Sequence, residues 1–309
     1  GEAGVCTGTA RMRTPLVTSL LILIAGSVCA ADPDYLDPEL LHAAGLVKFW
    51  QLPLPLEKDQ RLQELHLVDD QLYLATQDGY VFAVHAATGV IRWLQPVTRS
   101  GYALRRPCHV GNQAIFVTPS DIQIYDWSTG DPVSRRDLRF AAGNGAITDG
   151  SQLLIGGMDR RFYSFDLDTQ YVGWKVLTDA AITSTPALLG DAVFFATEAG
   201  TVYACSRDSR RVLRWEFSAY DRISANLVAR EEGVYVASRD WSLYLLDLNY
   251  GNIRWRARFS GPLFEAPVVT PEIAYQYAPS DGLVAVDAAV VGAPDDRLRW
   301  RLPRGRMAL

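Results

Sequence analysis

One large aromatic side chain returns along this chain every forty or so residues, and no other feature restricts the fold as strongly. Trp93, Trp174, Trp215, Trp255 and Trp300 each close a short apolar segment, and Ser134 stands where one more tryptophan is due. The steps through 93, 134, 174, 215, 255 and 300 are 41, 40, 41, 40 and 45 residues. The long last step follows an insertion around Gly292-Ala293-Pro294-Asp295-Asp296. Ahead of each terminal position lie an apolar strand and a turn. The cleanest copy is Val81-Phe82-Ala83, then Thr88-Gly89, then Ile91-Arg92-Trp93. Trp50, in Leu46-Val47-Lys48-Phe49-Trp50, is 43 residues before Trp93 and reads as one more terminal strand.

Each unit reads as four short strands. In residues 181–218 these are Ile182 to Leu189, Ala192 to Thr197, Thr201 to Ser206 and Val212 to Phe217. The turns Gly190-Asp191 and Glu198-Ala199-Gly200 separate the first three. Tight turns between β-branched and aromatic runs are hairpin signals. No stretch holds a 3.6-residue apolar period, so helices are not expected. A four-stranded sheet repeated at this interval is the blade of a β-propeller. The chain therefore reads as all-β: a propeller of four-stranded antiparallel blades, six units plus an N-terminal closing strand. In that architecture a tryptophan fills the wedge between blades, since no side chain buries more apolar area. This gives Trp50, Trp93, Trp174, Trp215, Trp255 and Trp300 one shared inter-blade role. Closing a ring with the Trp50 strand needs three more strands after Leu309. The count fits part of a seven- or eight-bladed ring better than a six-bladed ring with a spare strand.

The pattern Ala-x-Asp-x-x-Thr-Gly-x-x-x-Trp resembles the repeat of the PQQ-like β-propeller family. That family includes quinoprotein dehydrogenases and the BamB-type outer-membrane assembly lipoproteins. The likeness spans about residues 46–303, and its period is more telling than any copy. The first unit has His85 at the Asp position, the second lacks its Trp, and the third has Gln170 for Gly. A WD repeat fits poorly, because Asp126-Trp127 and Asp240-Trp241 show that pair reversed, once each. The resemblance implies two kinds of function: a protein-interaction scaffold, or a quinone-dependent oxidoreductase.

The N-terminal region reads as an address. Residues 1–30 combine a read-through stretch with a signal peptide starting at Met12. Arg13, the apolar run Leu16 to Ile24 and the small residues up to Ala30 supply its three parts. Residues 31–45 read as a linker and 46–309 as the propeller domain. The apolar run is short for a membrane span. Cys29 is an alternative acylation site, although Val28 before it suits that poorly. The expected location is periplasmic or extracytoplasmic, with outer-membrane lipidation as the lesser alternative. A formal net charge of −5 and no dense Lys/Arg run argue against nucleic acid as a partner. Cys108 and Cys205 read as two buried free thiols.

Little in the sequence calls for catalysis. A quinoprotein dehydrogenase needs the quinone, an oxygen-rich Ca²⁺ site and an aspartate base. The family's alcohol dehydrogenases also carry adjacent cysteines and long insertions, which this sequence lacks. Asp126, Asp166, Asp247 and Asp287 occupy the repeat's own aspartate position and read as turn caps. The four histidines, His42, His66, His85 and His109, share no metal-ligand spacing. No catalytic residue, metal site or cofactor is assigned, PQQ included. What remains is a surface at the channel mouth. Aligning the innermost strands on their turns puts Glu64, Arg105, Arg106 and Glu265 in one register, with Arg222, Tyr102 and Tyr220 just upstream. Charges are unusual on a merely packed strand. The sequence thus reads as a non-catalytic exported propeller that binds other envelope proteins. The alternatives are a degenerate or truncated quinoprotein oxidoreductase and a ligand-sensing propeller for a small molecule or polysaccharide.

Overall fold

The computed structural model describes residues 48–169, 171–207, 213–289 and 297–303. The chain divides into a unit ending at Pro55 and a unit beginning at Leu56, and every strand lies in the second. Six four-stranded antiparallel sheets follow one another, each built from strands consecutive in sequence. Blade 1 is β1 (Leu62–Val68), β2 (Gln71–Thr76), β3 (Tyr80–His85) and β4 (Ile91–Pro96). Blade 2 is β5 (Cys108–Val110), β6 (Gln113–Val117), β7 (Asp121–Asp126) and β8 (Pro132–Asp137). Blade 3 is β9 (Ala142–Thr148), β10 (Gln152–Gly157), β11 (Arg161–Asp166) and β12 (Val172–Leu177). Blade 4 is β13 (Ala187–Leu189), β14 (Ala192–Ala196), β15 (Thr201–Ser206) and β16 (Leu213–Ser218). Blade 5 is β17 (Val228–Arg230), β18 (Gly233–Ser238), β19 (Ser242–Leu246) and β20 (Ile253–Arg258). Blade 6 is β21 (Val268–Val269), β22 (Ile273–Ala278), β23 (Gly282–Asp287) and β24 (Leu298–Leu302). No helix occurs among the described residues, and none could cross a membrane.

The strands grade from inside to outside. The two middle strands of each blade carry most of the buried residues, as in β14 and β19, where all five residues are buried. First strands of neighbouring blades approach one another, β5 against β9 and β13 against β17. Fourth strands form the outer edge, and every residue of β24 is exposed. The first strands are shorter than their apolar runs suggest. Pro107, Pro186 and Pro267 immediately precede β5, β13 and β21. Proline has no N–H to give a ladder, so pairing begins only after it. Residues 182–186 are accordingly irregular, and Thr185 N donates to Asn226 Oδ1 of the next blade at 2.7 Å.

The core is a series of inter-blade layers. Tyr73, Ala83 and Trp93 of blade 1 pack on Ala114, Phe116 and Tyr125 of blade 2. Comparable layers join blades 2 and 3, 3 and 4, 4 and 5, and 5 and 6. The repeated tryptophan has a polar duty as well as an apolar one. Trp93 Nε1 donates to Trp127 O at 2.8 Å, Trp174 Nε1 to Arg207 O at 3.2 Å, and Trp215 Nε1 to Leu248 O at 2.9 Å. Each acceptor belongs to the following blade. Trp255 differs: its Nε1 is buried without a partner among the described residues, and the Arg297 guanidinium lies 5.0 Å from the ring centroid.

The Thr-Gly of the repeat has the same physical origin. Gly130 and Gly251 have positive φ, 77° and 70°. A Cβ on Gly130 would sit 2.5 Å from Trp93 Cγ, and one on Gly251 2.5 Å from Trp215 Cε3. The glycine turn of one blade therefore lies flat on the indole of the blade before. The aspartate ahead of it caps the turn, as expected. Asp126 Oδ1 accepts from Ser128 N and Thr129 N, and Asp247 Oδ1 from Asn249 N and Tyr250 N. The arginine before the tryptophan closes the motif: Arg254 pairs with Asp247 at 2.6 Å and Arg299 with Asp287 at 2.9 Å.

Two tryptophans depart from the shared role. Residues 48–60 carry no strand, so Trp50 does not close a blade there. Pro53 and Pro55, alternating with Leu52, Leu54 and Leu56, remove the donors a ladder would need. The leader, the linker and Cys29 lie outside the described residues. Trp300 holds its place in β24 but is 43% exposed, whereas Trp93, Trp215 and Trp255 are 5–7% exposed. No described sheet packs on its face.

Trp215→Ala should therefore lower stability by about 3–5 kcal/mol in denaturant unfolding, through the cavity it leaves between blades 4 and 5. Trp300→Ala should cost less than about 1 kcal/mol, because its face is already half in water. Equal losses would contradict the layered core. Gly251→Ala should be destabilising by about 2 kcal/mol or more, since the new methyl meets the Trp215 ring in a left-handed backbone.

Candidate functional site

The connection from each fourth strand to the next blade hydrogen-bonds to the β2–β3-type turn of its own blade. Val97 N donates to Gly79 O, Ala219 N to Gly200 O, and Phe259 N to Trp241 O, at 2.9–3.0 Å. These connections and turns therefore share one end of the blades. The sequence placed five charged residues there, and all five do lie near the start of a first strand. Only Glu64 is on the strand itself. Arg105, Arg106, Arg222 and Glu265 lie in the connecting loops, because proline or irregular backbone delays β5, β17 and β21.

Three of the five are brought together. His66 of β1 makes a 3.0 Å hydrogen bond with Leu104 O through Nε2 and is within electrostatic reach of Glu64, Arg106 and Arg105. Burial lowers its pKa, outweighing the hydrogen bond and Glu64, so the imidazole stays neutral. Blade 3 reaches the same place: a Cβ on Gly145 would lie 2.8 Å from Arg106 O and 3.3 Å from Arg105 Cβ. Glycine there lets β9 close on the arginine loop.

Arg222 and Glu265 belong to a second group, at the junction of blades 5 and 6. Arg239 N donates to Arg222 O at 2.9 Å, and its guanidinium lies 5.2 Å from the Phe264 ring, next to Glu265. Arg239 Nε is buried with no partner among the described residues. Burial raises the Glu265 pKa. The side chains of Glu64, Arg105, Arg106, Arg222 and Glu265 form no ion pair among the described residues. Charges held at one end without a partner of their own are available to a ligand.

Aromatic rings stand beside them. Tyr102, Tyr220 and Phe264, one in each of three connecting loops, are 49%, 86% and 43% exposed. Tyr102 and Tyr220 were legible as neighbours of the charged register; Phe264 was not, although it adjoins Glu265. Alternating Arg and aromatic residues on an exposed rim match the composition of protein-binding surfaces.

The opposite end holds a hydrogen-bond chain that sequence spacing did not reveal. Asp69 Oδ2 meets His109 Nδ1 at 2.9 Å, and His109 Nε2 meets the Tyr73 hydroxyl at 2.5 Å. The carboxylate fixes the proton on Nδ1, leaving Nε2 to accept from tyrosine. Tyr73 is fully buried, however, so no substrate can reach its oxygen. The chain satisfies a core hydroxyl between blades 1 and 2. Among the described residues no three His, Cys, Asp or Glu side chains are grouped to hold a metal ion. Cys108 and Cys205 are free thiols, and burial pushes both up to about 12, away from nucleophilic use at neutral pH.

Comparison with known proteins places this geometry in context. A family model described as outer membrane protein assembly factor BamB matches residues 118–227 and 212–304. A tetrathionate hydrolase of Acidithiobacillus ferrooxidans is 22% identical over 225 residues, which cover 72% of this chain and 41% of that protein. The chain thus spans less than half the length of this curated relative. Among solved structures, a computationally designed protein, Ika8, superposes with a TM-score of 0.62 at 13% identity, over 75% of this chain and 72% of its own. BamB from Moraxella catarrhalis gives a TM-score of 0.48 at 19% identity, over 68% and 79%.

The buried histidines set a pH dependence. Desolvation lowers the folded-state pKa of both His66 and His109 below the ordinary 6.5. The unfolded chain then takes up protons near pH 6.5 that the folded chain refuses, so stability is full above that pH and falls below it. Urea unfolding at pH 7.5 and 5.5 should show the loss, and His66→Gln should reduce it. Equal stability at both pH values in the parent chain would overturn the assignment.

Proposed function

The chain belongs to the PQQ-like propeller family described as outer membrane protein assembly factor BamB, and from that premise we propose that it is a non-catalytic, exported scaffold for other envelope proteins. The supporting observation is the rim itself. Arg105, Arg106 and Arg222 have no ion-pair partner among the described residues, and exposed Tyr102, Tyr220 and Phe264 accompany them at one end of the blades. Arginine presents a planar fork of donors suited to carboxylates and backbone carbonyls, while tyrosine adds area at low entropic cost. The rigid blades hold the loops in place, so little ordering is needed on binding. Export rests on the leader reading of residues 1–30, with acylation at Cys29 as the alternative to simple cleavage. Neither PQQ nor a metal has a role in this reading, and nucleic acid is not a partner.

An enzymatic reading has one observation in its favour, the 22% identity to a tetrathionate hydrolase. The quinoprotein alternative has only the repeat itself. Two assays separate them from the scaffold: consumption of tetrathionate, and dye-linked alcohol oxidation after loading with PQQ and Ca²⁺. Both should stay at background, and turnover in either would replace the scaffold with an enzyme.

For the scaffold, the double variant Arg105→Glu, Arg106→Glu should reduce recovery of specific partners from envelope extract roughly tenfold, the effect of losing an interface anchor. Its melting temperature should match the parent's, because neither guanidinium is in an ion pair among the described residues. Undiminished recovery would remove the arginine rim from the binding surface.

A further inference from the structure

The blade whose repeat lacks its tryptophan borders a cleft with an unusual lining. Ser134 of β8 pairs with Ile124, which packs against blade 3, so the missing indole would have pointed at that blade. Between the outer parts of blades 2 and 3 the structure has a cleft of about 420 Å³, matched in place by one of about 430 Å³ between blades 5 and 6. Its volume falls within the range of small-molecule sites. The floor is aromatic. Phe140 and Tyr163 stack with centroids 3.8 Å apart at 11°, and Tyr171 stands 72% exposed at the edge. The cations Arg136, Arg139 and Lys175 surround it, against one carboxylate, Asp137. Arg136 lies 5.3 Å from the Phe165 centroid and 5.7 Å from that of Tyr171, so its guanidinium sits between two aromatic rings. Lys175 pairs across the strands with Tyr163, on the face turned toward blade 2. Arg139 and Lys175 form no ion pair among the described residues.

The geometry points to a binding site for a small planar aromatic carboxylate in this cleft. The ring would lie against the exposed aromatic edge, where π-faces and the Arg136 guanidinium give stacking and cation–π contact. The carboxylate would sit between Arg139 and Lys175, which are otherwise cations crowded in a chain of net charge −5. A monoanion suits the lining better than a polyphosphate, since Asp137 opposes a second charge. Arg139 and Phe140 belong to the connection from β8 to β9, a different loop from those of Arg105, Arg106 and Arg222, and the site does not depend on the scaffold reading.

The test uses the full chain with 2-naphthoate as the probe, followed by isothermal titration calorimetry. Binding should saturate at one site, and Arg139→Gln, Lys175→Gln should weaken it at least tenfold while leaving the melting temperature unchanged. The neutral 2-naphthylmethanol should bind the parent at least tenfold more weakly than the acid. Absent binding, binding unaffected by loss of the two cations, or equal affinity for the alcohol would each overturn the proposal. So would displacement of naphthoate by an acidic aromatic peptide of higher affinity, which would make the cleft a peptide site.

Discussion

An indole can lie flat on a neighbouring backbone only where that backbone carries no side chain. Trp93 on Gly130 and Trp215 on Gly251 obey that constraint, and much of the blade is arranged to meet it. The glycine must adopt positive φ, so a turn forms there. The turn needs a cap, which Asp126 and Asp247 supply. The indole N–H must find an acceptor in a dry interface, and the carbonyls of Trp127 and Leu248 are three residues before those glycines. In these two interfaces one contact fixes glycine, aspartate and tryptophan together, whereas Trp174 keeps the carbonyl bond, to Arg207 O, in front of a turn sequence without glycine. The second and third units show the converse. Where Ser134 replaces the indole, the following unit has Gln170 at the glycine position.

The period and the strand count of each unit were readable because hairpins announce themselves locally. Gly190-Asp191 and Glu198-Ala199-Gly200 bracket strands that begin and end within a residue or two of their apolar runs. The first strands were misjudged because Pro186 sits inside an otherwise continuous apolar segment, and a proline ends a ladder without ending a hydrophobic run. The Trp50 spacing is right for a terminal strand, but residues 48–60 carry none, and the alternating Pro53 and Pro55 lack the donors for one. The charged rim was legible as a register, yet its division into two groups was not. Which blades bring Arg105 to His66, or Arg239 to Phe264, depends on inter-blade packing, for which one repeat at a time contains no signal. The Asp69–His109–Tyr73 chain is hidden for the same reason, its members being 36 and 40 residues apart.

Function in such a chain is carried by what the repeat leaves free. The positions that define the blade are committed to one another, Asp to turn and arginine, Gly to indole, Trp to carbonyl. The connecting loops and the degenerate second blade are under no such obligation; there lie Arg105, Arg106 and Arg222, which form no ion pair among the described residues, together with exposed tyrosines and a cleft. A scaffold and an enzyme built on the same repeat would differ only in these places. That is why the family resemblance, secure as it is for the fold, leaves the chemistry to the loops.

Every described strand pairs with a sequence neighbour, and the hydrophobic layers link each blade to the next. Such an array loses order from its weakest boundary inward, as a linear stack does, instead of all at once. The half-exposed indole of Trp300 marks that boundary. Fraying should therefore begin in the sixth sheet, with amide exchange fastest in β24 and slowest around the doubly covered β14 and β18. Stability along the chain becomes a gradient set by how many faces each blade has covered.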